Sequence, residues 1–130
     1  TAKEVKKDIQ TTTSAIDEIK KNNMILDIGP QTIELIKKEL SLAKTVFWNG
    51  PAGVFETSPF QVGTLEIAKY IADLSTKNLI KSFAGGGDTI AALEMANVKS
   101  EFSYISTGGG ALLELLEGRK LPGLKALNVL

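Results

Sequence analysis

The sequence predicts an α/β fold: a three-layer, Rossmann-like parallel sheet with helices on both faces. Three observations support this prediction. Apolar, strand-like runs alternate with helix-like runs along the chain, four of the strand-like runs end in a glycine-containing turn, and two of those turns are glycine triplets, at 85–87 and 108–110. Alternation of this kind favours parallel strands joined by right-handed crossovers, which bring the strand-to-helix turns to one edge of the sheet.

The first part of the chain changes from an irregular segment to a strand and a helix. Residues 1–22 are charged and threonine-rich with little periodicity, so we expect irregular or edge-extended backbone there. The run MILDI at 24–28 predicts a strand. Pro30 then suits the first position of a helix, because its missing N–H would have no partner there. This helix is predicted to extend to about residue 43, since apolar side chains recur on one face: Ile33, Ile36, Leu40 and Ala43.

The middle of the chain predicts a strand, a long loop and a second helix. Residues 44–48 are β-branched and aromatic without alternation, which indicates a central strand buried on both faces. The segment 50–60 contains too many glycines and prolines for regular structure, and long loops in compact domains are more often functional than idle. An amphipathic helix is predicted at about 63–75. Its inward residues are Ile67, Ile71 and Leu74, and its outward residues are Lys69 and Asp73.

The last part continues the alternation. Strands are predicted at 79–84 and 102–105, and helices at 88–96 and 109–117. The tail at 121–127 is expected to cover an edge of the sheet.

The composition excludes several kinds of chemistry. The chain has 130 residues with 15 basic and 15 acidic side chains, so no net charge attracts nucleic acid. It contains neither cysteine nor histidine, which excludes disulfides, zinc–thiolate sites and Ser–His catalysis within it. Its apolar runs are shorter than a membrane span, and its polar opening lacks the apolar segment of a signal peptide. We therefore expect a cytoplasmic protein that binds neither nucleic acid nor membrane, and the polar start suggests a fragment.

Glycine turns that lead into helices are suited to bind anions. Glycine permits close approach of the backbone to a ligand, and the first turn of a helix presents unpaired N–H groups and the positive end of its dipole. The sequence contains neither GxxxxGK[ST] nor GxGxxG. A half Rossmann dehydrogenase domain is therefore disfavoured.

Each candidate residue has an ordinary structural interpretation as well as a functional one. Asp88 is either an N-cap of the following helix or a carboxylate linked to Mg²⁺. The triplet 108–110 either packs its helix closely on a strand or faces a bound anion. Residues 49–51 either end a strand or contact a nucleotide, and Trp48 is expected in the core. Glu56 is either a solvated loop carboxylate or an acceptor for ribose hydroxyl groups.

Four motifs, in this order and spacing, resemble the C-terminal, nucleotide-binding half of phosphoglycerate kinase. They are WNGPAGVFE (48–56), AGGGDT (84–89), ISTGGGA (105–111) and LLEGRKLPGL (115–124). The resemblance extends from Met24 to Leu127, and the segments AKEVKKD and LDIGP also fit the family. It implies that residues 1–130 are the C-terminal part of a nucleotide-binding domain, without the N-terminal substrate domain.

The resemblance also implies an activity and residue roles. The activity is reversible phosphoryl transfer between 1,3-bisphosphoglycerate and MgADP, which gives 3-phosphoglycerate and MgATP. Leu26 and Val54 correspond to residues of the adenine pocket, Glu56 to the ribose ligand and Asp88 to the carboxylate that organises Mg²⁺. The remaining nucleotide contacts are Asn49, Pro51, Gly86, Gly87 and Thr89. The catalytic helix N-terminus, which faces the transferring phosphoryl group, corresponds to Gly108, Gly109 and Gly110.

The missing domain limits what this chain is expected to do. In the family, the acidic substrate binds a basic patch on the N-terminal domain, which also contributes a catalytic arginine. The resemblance implies a monomeric full-length enzyme, and the missing domain leads us to expect an inactive isolated chain. The alternative is a non-catalytic nucleotide-binding or regulatory module that uses the same sheet.

Overall fold

A parallel sheet forms the centre of the protein. The structure is a computed structural model and describes residues 1–128. The strands are β1 (Thr45–Asn49), β2 (Lys81–Gly85) and β3 (Tyr104–Ser106). Their order in the sheet is β1-β2-β3, and both pairings are parallel. Asn49 pairs with Gly85, which pairs with Ser106, so the three strands end in one row at the carboxyl edge of the sheet.

Helices pack on both faces of this sheet. The helices of the described chain are α1 (Pro30–Leu42), α2 (Val62–Thr76), α3 (Gly87–Met95), α4 (Gly109–Leu116) and α5 (Pro122–Ala126), of which α5 does not pack on the sheet. Ser82 of β2 contacts Ser75 of α2, whereas a Cβ at Gly85 would meet Leu112 of α4 at 3.7 Å. Residues 82 and 85 point to opposite sides of a strand, so α2 and α4 lie on opposite faces. The predicted three-layer α/β fold is confirmed.

The core lies mainly between α2 and the sheet. Ile67, Ile71 and Leu74 are buried as predicted, and they pack against Val46 of β1 and Leu93 of α3. The periodicity of α2 explains this, because apolar residues three or four apart share one helical face. The packing fixes the N-terminus of α2 beside the carboxyl edge of the sheet.

A cluster of serine hydroxyls, of which Ser75 and Ser82 are buried, joins α2 to the opposite end of the sheet. The Ser75 and Ser82 hydroxyls lie 2.8 Å apart, and the Ser103 amide donates to Ser82 Oγ at 3.0 Å. The Ser82 amide in turn donates to Ser103 Oγ at 3.1 Å. These bonds satisfy polar groups that burial would otherwise leave without partners.

The predicted strand at 24–28 is wrong. In this segment only Met24 makes a β-bridge, which is antiparallel and pairs it with Ala2. The backbone groups that follow Met24 form hydrogen bonds to a loop and to a side chain instead of to a strand. The Val54 amide donates to the Leu26 carbonyl at 2.9 Å, and the Ile28 amide donates to the Asp27 carboxylate at 2.8 Å. A loop and a side chain thus take the hydrogen bonds that a neighbouring strand would have used.

The prediction that the first strand of the sheet is central and buried on both faces is also wrong. Among the described residues, β1 has a neighbour on one side only. Its Val46 is buried, but Phe47 points to the other face and is 37% exposed. Phe47, Phe83 and Tyr104 form a cross-strand row on that face, and Tyr104 is 56% exposed.

The two ends of the described chain carry little regular structure. Residues 1–22 are irregular as predicted, apart from one 3₁₀ turn at Ile16–Glu18. At the other end, α5 has no buried residue, so it does not form a closed cover over a sheet edge. No helix in the described part of the chain has the length and apolarity needed to cross a membrane.

Candidate functional site

The two glycine triplets lie against each other at the carboxyl edge of the sheet. A Cβ at Gly109 would come within 2.6 Å of both Cα and N of Gly86, so the two backbones touch with no space for a side chain. Gly86 has a φ of +93°, a conformation that strongly favours glycine. The predicted convergence of the triplets at one edge is therefore observed.

Two helices begin at this contact. Helix α3 starts at Gly87 and α4 starts at Gly109, and their N-cap residues are Gly86 and Gly108. Neither N-terminus is capped by a side chain. The N–H groups of both first turns are therefore left for solvent or an anion, and both helix dipoles present their positive ends there. Gly108 and Gly110 are exposed on either side of the buried Gly109.

Asp88 lies in the first turn of α3, and its side chain is exposed. The N-cap position belongs to Gly86, so the interpretation of Asp88 as an N-cap is wrong. A carboxylate in the first turn of a helix is stabilised by the helix dipole. Within residues 1–128, no group of three or more acidic, histidine or cysteine side chains is arranged to hold a metal.

Thr89, unlike Asp88, is fully buried. Its Oγ1 accepts a hydrogen bond of 2.6 Å from the Gly50 amide, which ties the turn after β1 to the first turn of α3. The Gly50 carbonyl in turn accepts a bond of 2.6 Å from the indole Nε1 of Trp48. Trp48 is half-buried and packs against the main core cluster, where its ring is tilted relative to that of Phe102, so the prediction that it belongs to the core is correct in part. The N–H and the C=O of Gly50 are thus both hydrogen-bonded to side chains.

Thr64 holds the other end of the same turn. It is fully buried, and its Oγ1 accepts bonds from the Ala52 amide at 3.0 Å and the Gly53 amide at 3.3 Å. Sequence reasoning missed Thr64. The available signal was a threonine in third position at the start of a helix, in VGT as in GDT. The turn 50–53 is therefore fixed at both ends by buried hydroxyl groups.

Asn49 is the last residue of β1 and leads directly into this turn. Its side chain is exposed, and its Oδ1 would lie 3.1 Å from a Cβ at Gly86. The amide group of Asn49 therefore stands beside the glycine triplet of α3. Pro51 follows as a half-buried residue of the turn.

Three further candidate residues form a second group beside the start of α2. Leu26 is 5% exposed and packs with Phe60, while Val54 lies against the same cluster and donates its amide to the Leu26 carbonyl. The Glu56 side chain is exposed at a cleft of about 430 Å³. Apolar side chains of Phe55, Leu65 and Met95 also line that cleft. The turn 50–53 connects this group to the glycine triplets.

Asp27 connects the segment that carries Leu26 to the first turn of α2, and sequence reasoning missed it. Its Oδ2 accepts a bond of 2.9 Å from the Gly63 amide, and its Oδ1 accepts one of 2.8 Å from the Ile28 amide. Burial raises the pKa of the Asp27 carboxyl, and the two amide bonds oppose that rise. The available signal was a single acid within an apolar run.

These features define a class of protein: a parallel α/β sheet whose carboxyl edge is built from glycine turns at helix N-termini. A sequence model of the family described as phosphoglycerate kinase matches residues 1–119. The chain belongs to the phosphoglycerate kinase family.

Individual relatives agree with this assignment. The chain is 50% identical to the phosphoglycerate kinase of Xanthobacter flavus over 115 residues, which are 88% of this chain and 29% of that protein. It is 51% identical to that of Chelativorans sp. over 119 residues, 92% of this chain and 30% of the relative. The solved structure of phosphoglycerate kinase from Coxiella burnetii matches with a TM-score of 0.88 and 43% identity, over 98% of this chain and 32% of that chain. The chain thus spans under a third of the length of these relatives.

Proposed function

We propose that this chain forms part of the nucleotide site of a phosphoglycerate kinase. The reaction is the reversible transfer of a phosphoryl group between 1,3-bisphosphoglycerate and MgADP, giving 3-phosphoglycerate and MgATP. One observation carries the proposal: the contact between Gly86 and Gly109, which brings two uncapped helix N-termini to one edge of the sheet. Family membership supports the same reaction.

Phosphoryl transfer depends chiefly on positioning and on stabilising the charge that is spread over the phosphoryl oxygens. In our proposal the amides of Gly108, Gly109 and Gly110 face the transferring group. The backbone contact with Gly86 sets their position relative to the first turn of α3, because the start of α4 cannot come closer to it. Fixed N–H dipoles stabilise developing charge without reorganisation during the reaction.

Asp88 is proposed to hold Mg²⁺ that arrives with the nucleotide. When bound, Mg²⁺ would neutralise charge on the nucleotide phosphates. The exposed carboxylate of Asp88 stands in the first turn of α3, and Gly86 and Gly87 lead into that turn. Thr89 is proposed to contact a phosphate. In the structure Thr89 is fully buried and its Oγ1 accepts the Gly50 amide, so contact with a phosphate would require a rearrangement of the turn 50–53.

The nucleoside is proposed to bind beside the turn that follows β1. Leu26 and Val54 would form a wall of the adenine pocket, and their backbones are hydrogen-bonded to each other. Glu56 would accept hydrogen bonds from ribose hydroxyl groups, which suits an exposed carboxylate next to apolar side chains. Asn49 and Pro51 would lie beside the nucleotide.

The rest of the enzyme is proposed to supply the other substrate site. The phosphoglycerate would bind a basic patch on an N-terminal domain, which would also provide a catalytic arginine. The isolated chain should therefore form no ATP in a coupled assay, and activity well above background would contradict this. The cytoplasm stays the predicted location.

The experiment that tests the function uses the full-length protein that contains this chain. We expect the wild type to form ATP from MgADP and 1,3-bisphosphoglycerate, and Asp88→Ala to lower kcat by about a hundredfold or more through lost Mg²⁺ positioning. Asp73→Ala, an exposed acid on α2, is the matched control and should leave kcat unchanged. A wild type without ATP formation would refute the proposed reaction.

The same variants also test the role of the metal. If Asp88 holds Mg²⁺, the Asp88→Ala enzyme should need a higher Mg²⁺ concentration for half-maximal rate than the Asp73→Ala enzyme. Equal turnover and equal Mg²⁺ dependence in the two variants would leave Asp88 as an ordinary surface acid. Calorimetric titration of the isolated chain with MgADP addresses the alternative of a regulatory module, because such a module binds tightly without the rest of an enzyme.

A further inference from the structure

We propose that Asp27 is a positioning residue for the nucleotide, because its carboxylate binds the first turn of α2 and packs against Gly53, the residue that precedes Val54. This inference rests on the proposed function, in which Leu26 and Val54 form the adenine wall. Asp27 itself does not contact the nucleotide in this proposal. It acts through the backbone around it.

The first argument is the hydrogen bonding of the carboxylate. Oδ1 accepts the Ile28 amide at 2.8 Å, and Oδ2 accepts the Gly63 amide at 2.9 Å. Gly63 lies in the first turn of α2, whose N-terminus has no side-chain cap from its own N-cap residue. Asp27 thus satisfies an amide of α2 from 36 residues away in sequence, where a carboxylate is also favoured by the helix dipole.

The second argument is steric. A Cβ at Gly53 or at Gly63 would lie 2.5 Å from Asp27 Oδ1, and real Cβ contacts are not that short. The Phe60 carbonyl also limits Gly53 to glycine, and the Ile28 side chain also limits Gly63. The Asp27 carboxylate is thus packed closely against two glycines, and close packing restricts the positions that the side chain can take.

The third argument is the connection to the proposed adenine wall. Leu26 directly precedes Asp27, Val54 directly follows Gly53, and the Val54 amide donates to the Leu26 carbonyl at 2.9 Å. Thr64, next to Gly63, holds Gly53 through a second bond. The spacing of Leu26 and Val54 is thus set by contacts among three short segments, 26–27, 53–54 and 63–64. The carboxylate of Asp27 lies between these segments.

The chemistry requires an acid at this position. A carboxylate offers two acceptor oxygens, whereas the isosteric amide of asparagine offers one acceptor and one donor group. The substitution Asp27→Asn would therefore turn an NH₂ group toward one of the two backbone amides, and that amide would lose its partner. The change keeps the volume of the side chain, so it tests the hydrogen bonds and not the packing.

The experiment measures nucleotide binding directly in the full-length protein that contains this chain. We expect Asp27→Asn to raise the Kd for MgADP about tenfold, the scale of one hydrogen bond to a charged group. We expect kcat and the KM for 3-phosphoglycerate to stay within about twofold, because the phosphate end of the site does not depend on Asp27. Asp73→Asn, an exposed acid on α2, is the matched control and should leave the Kd unchanged.

Each result decides between a positioning role and its alternatives. An unchanged Kd for MgADP would overturn the proposal. So would an equal weakening of both substrates together with a lower melting temperature, because that pattern is general destabilisation. If Asp27→Asn does not fold, Gly63→Ala provides a second variant, since its methyl group would press on both the Asp27 carboxylate and the Ile28 side chain, and the same selective rise in Kd is expected.

The failure of this inference can be told from the failure of the proposed function. A wild type that binds MgADP without transferring phosphoryl groups would refute the reaction and still permit the comparison of Kd values. A wild type that does not bind MgADP would refute both.

Discussion

Thr64 and Thr89 occupy equivalent positions, the third residue of α2 and the third residue of α3, and each accepts hydrogen bonds from the turn that follows β1. Both side chains are fully buried. A hydroxyl in the first turn of a helix normally serves that helix, but here both serve the turn 50–53. The turn contains two glycines, and these hydrogen bonds tie it to the first turns of both helices, which places Asn49 and Val54 relative to the two helix N-termini.

The bond between Thr89 and Gly50 yields a first prediction. In the full-length protein, Thr89→Val keeps the volume of the side chain but leaves the Gly50 amide without its acceptor. We expect the free energy of unfolding to fall by about 1 kcal/mol, the net contribution of a typical hydrogen bond, because the Gly50 donor is only partly buried. Thr89→Ser retains the hydroxyl and should recover part of the loss.

Urea unfolding measures this difference, with Thr32→Val on the exposed side of α1 as the control. The control should change stability by less than about 0.5 kcal/mol. Equal stability of Thr89→Val and Thr32→Val would show that the hydrogen bond contributes nothing.

The contact between Gly86 and Gly109 yields a second prediction. In Gly109→Ala the new methyl group would meet backbone atoms at 2.6 Å, so α3 and α4 must separate. We expect a loss of about 1–3 kcal/mol in stability from overpacking. We also expect slower ATP formation, because the two N-termini would no longer share one edge.

Gly123→Ala in α5 is the matched control, since a methyl group there meets open space. Thermal unfolding and a coupled assay distinguish the two variants. A Gly109→Ala protein as stable and as active as Gly123→Ala would mean that the helices are not in contact as described.

The ion pair between α1 and α2 yields a third prediction, about alkaline pH. Lys37 Nζ lies 2.9 Å from Glu66 Oε2, and it also lies 5.8 Å from the centre of the Tyr70 ring. The hydrogen bond to Glu66 is the main cause that raises the pKa of Lys37 above its usual value. Because the pKa is raised, the ion pair contributes its full stabilisation at pH values below the usual lysine pKa of about 10.4. This stabilisation is lost as pH rises through the raised pKa.

We therefore expect Glu66→Gln to destabilise the protein slightly at neutral pH, and this difference to vanish at strongly alkaline pH. The size should be at most about 1 kcal/mol, because Glu66 is partly exposed and solvent screens the pair. Asp73→Asn, which breaks the more exposed pair with Lys77, should show a smaller effect. A difference that persists unchanged above the raised pKa would contradict the assignment to Lys37.

The core yields a fourth prediction. Leu93 of α3 is completely buried beside α2, whereas Leu42 at the end of α1 is 73% exposed. Leu93→Ala should cost about 2–5 kcal/mol, because it removes apolar contacts and leaves a cavity. Leu42→Ala should change stability by less than about 1 kcal/mol. Denaturant midpoints with unchanged m-values would verify the contrast, and similar midpoints would contradict it.

Where local pattern and tertiary packing agree, the sequence sufficed to predict the fold. The helical spacing of Ile67, Ile71 and Leu74 predicted α2 and its buried face, which the structure confirms. The glycine triplets predicted both the convergence of the turns and the helices that begin there. The run at 24–28 failed because an apolar run resembles a strand whether or not a neighbouring strand exists. Here the Val54 amide and the Asp27 carboxylate occupy its backbone groups.

The candidate site was predictable only in part, for a similar reason. Glycines and exposed carboxylates such as Asp88 stand out in the sequence because their chemistry is visible without partners. Asp27 and Thr64 act through hydrogen bonds to residues 36 and 12 positions away. Such contacts exist only after α2 has packed on the sheet, so no local pattern reveals them.

The bond from Trp48 to Gly50 has a practical consequence. Trp48 is the single tryptophan in these 130 residues, and its indole N–H ends on the carbonyl of the turn beside the glycine triplets. Indole emission shifts to longer wavelength when the ring and its N–H meet water. The chain therefore contains its own fluorophore, and a displacement of Gly50 would shift the emission maximum of Trp48.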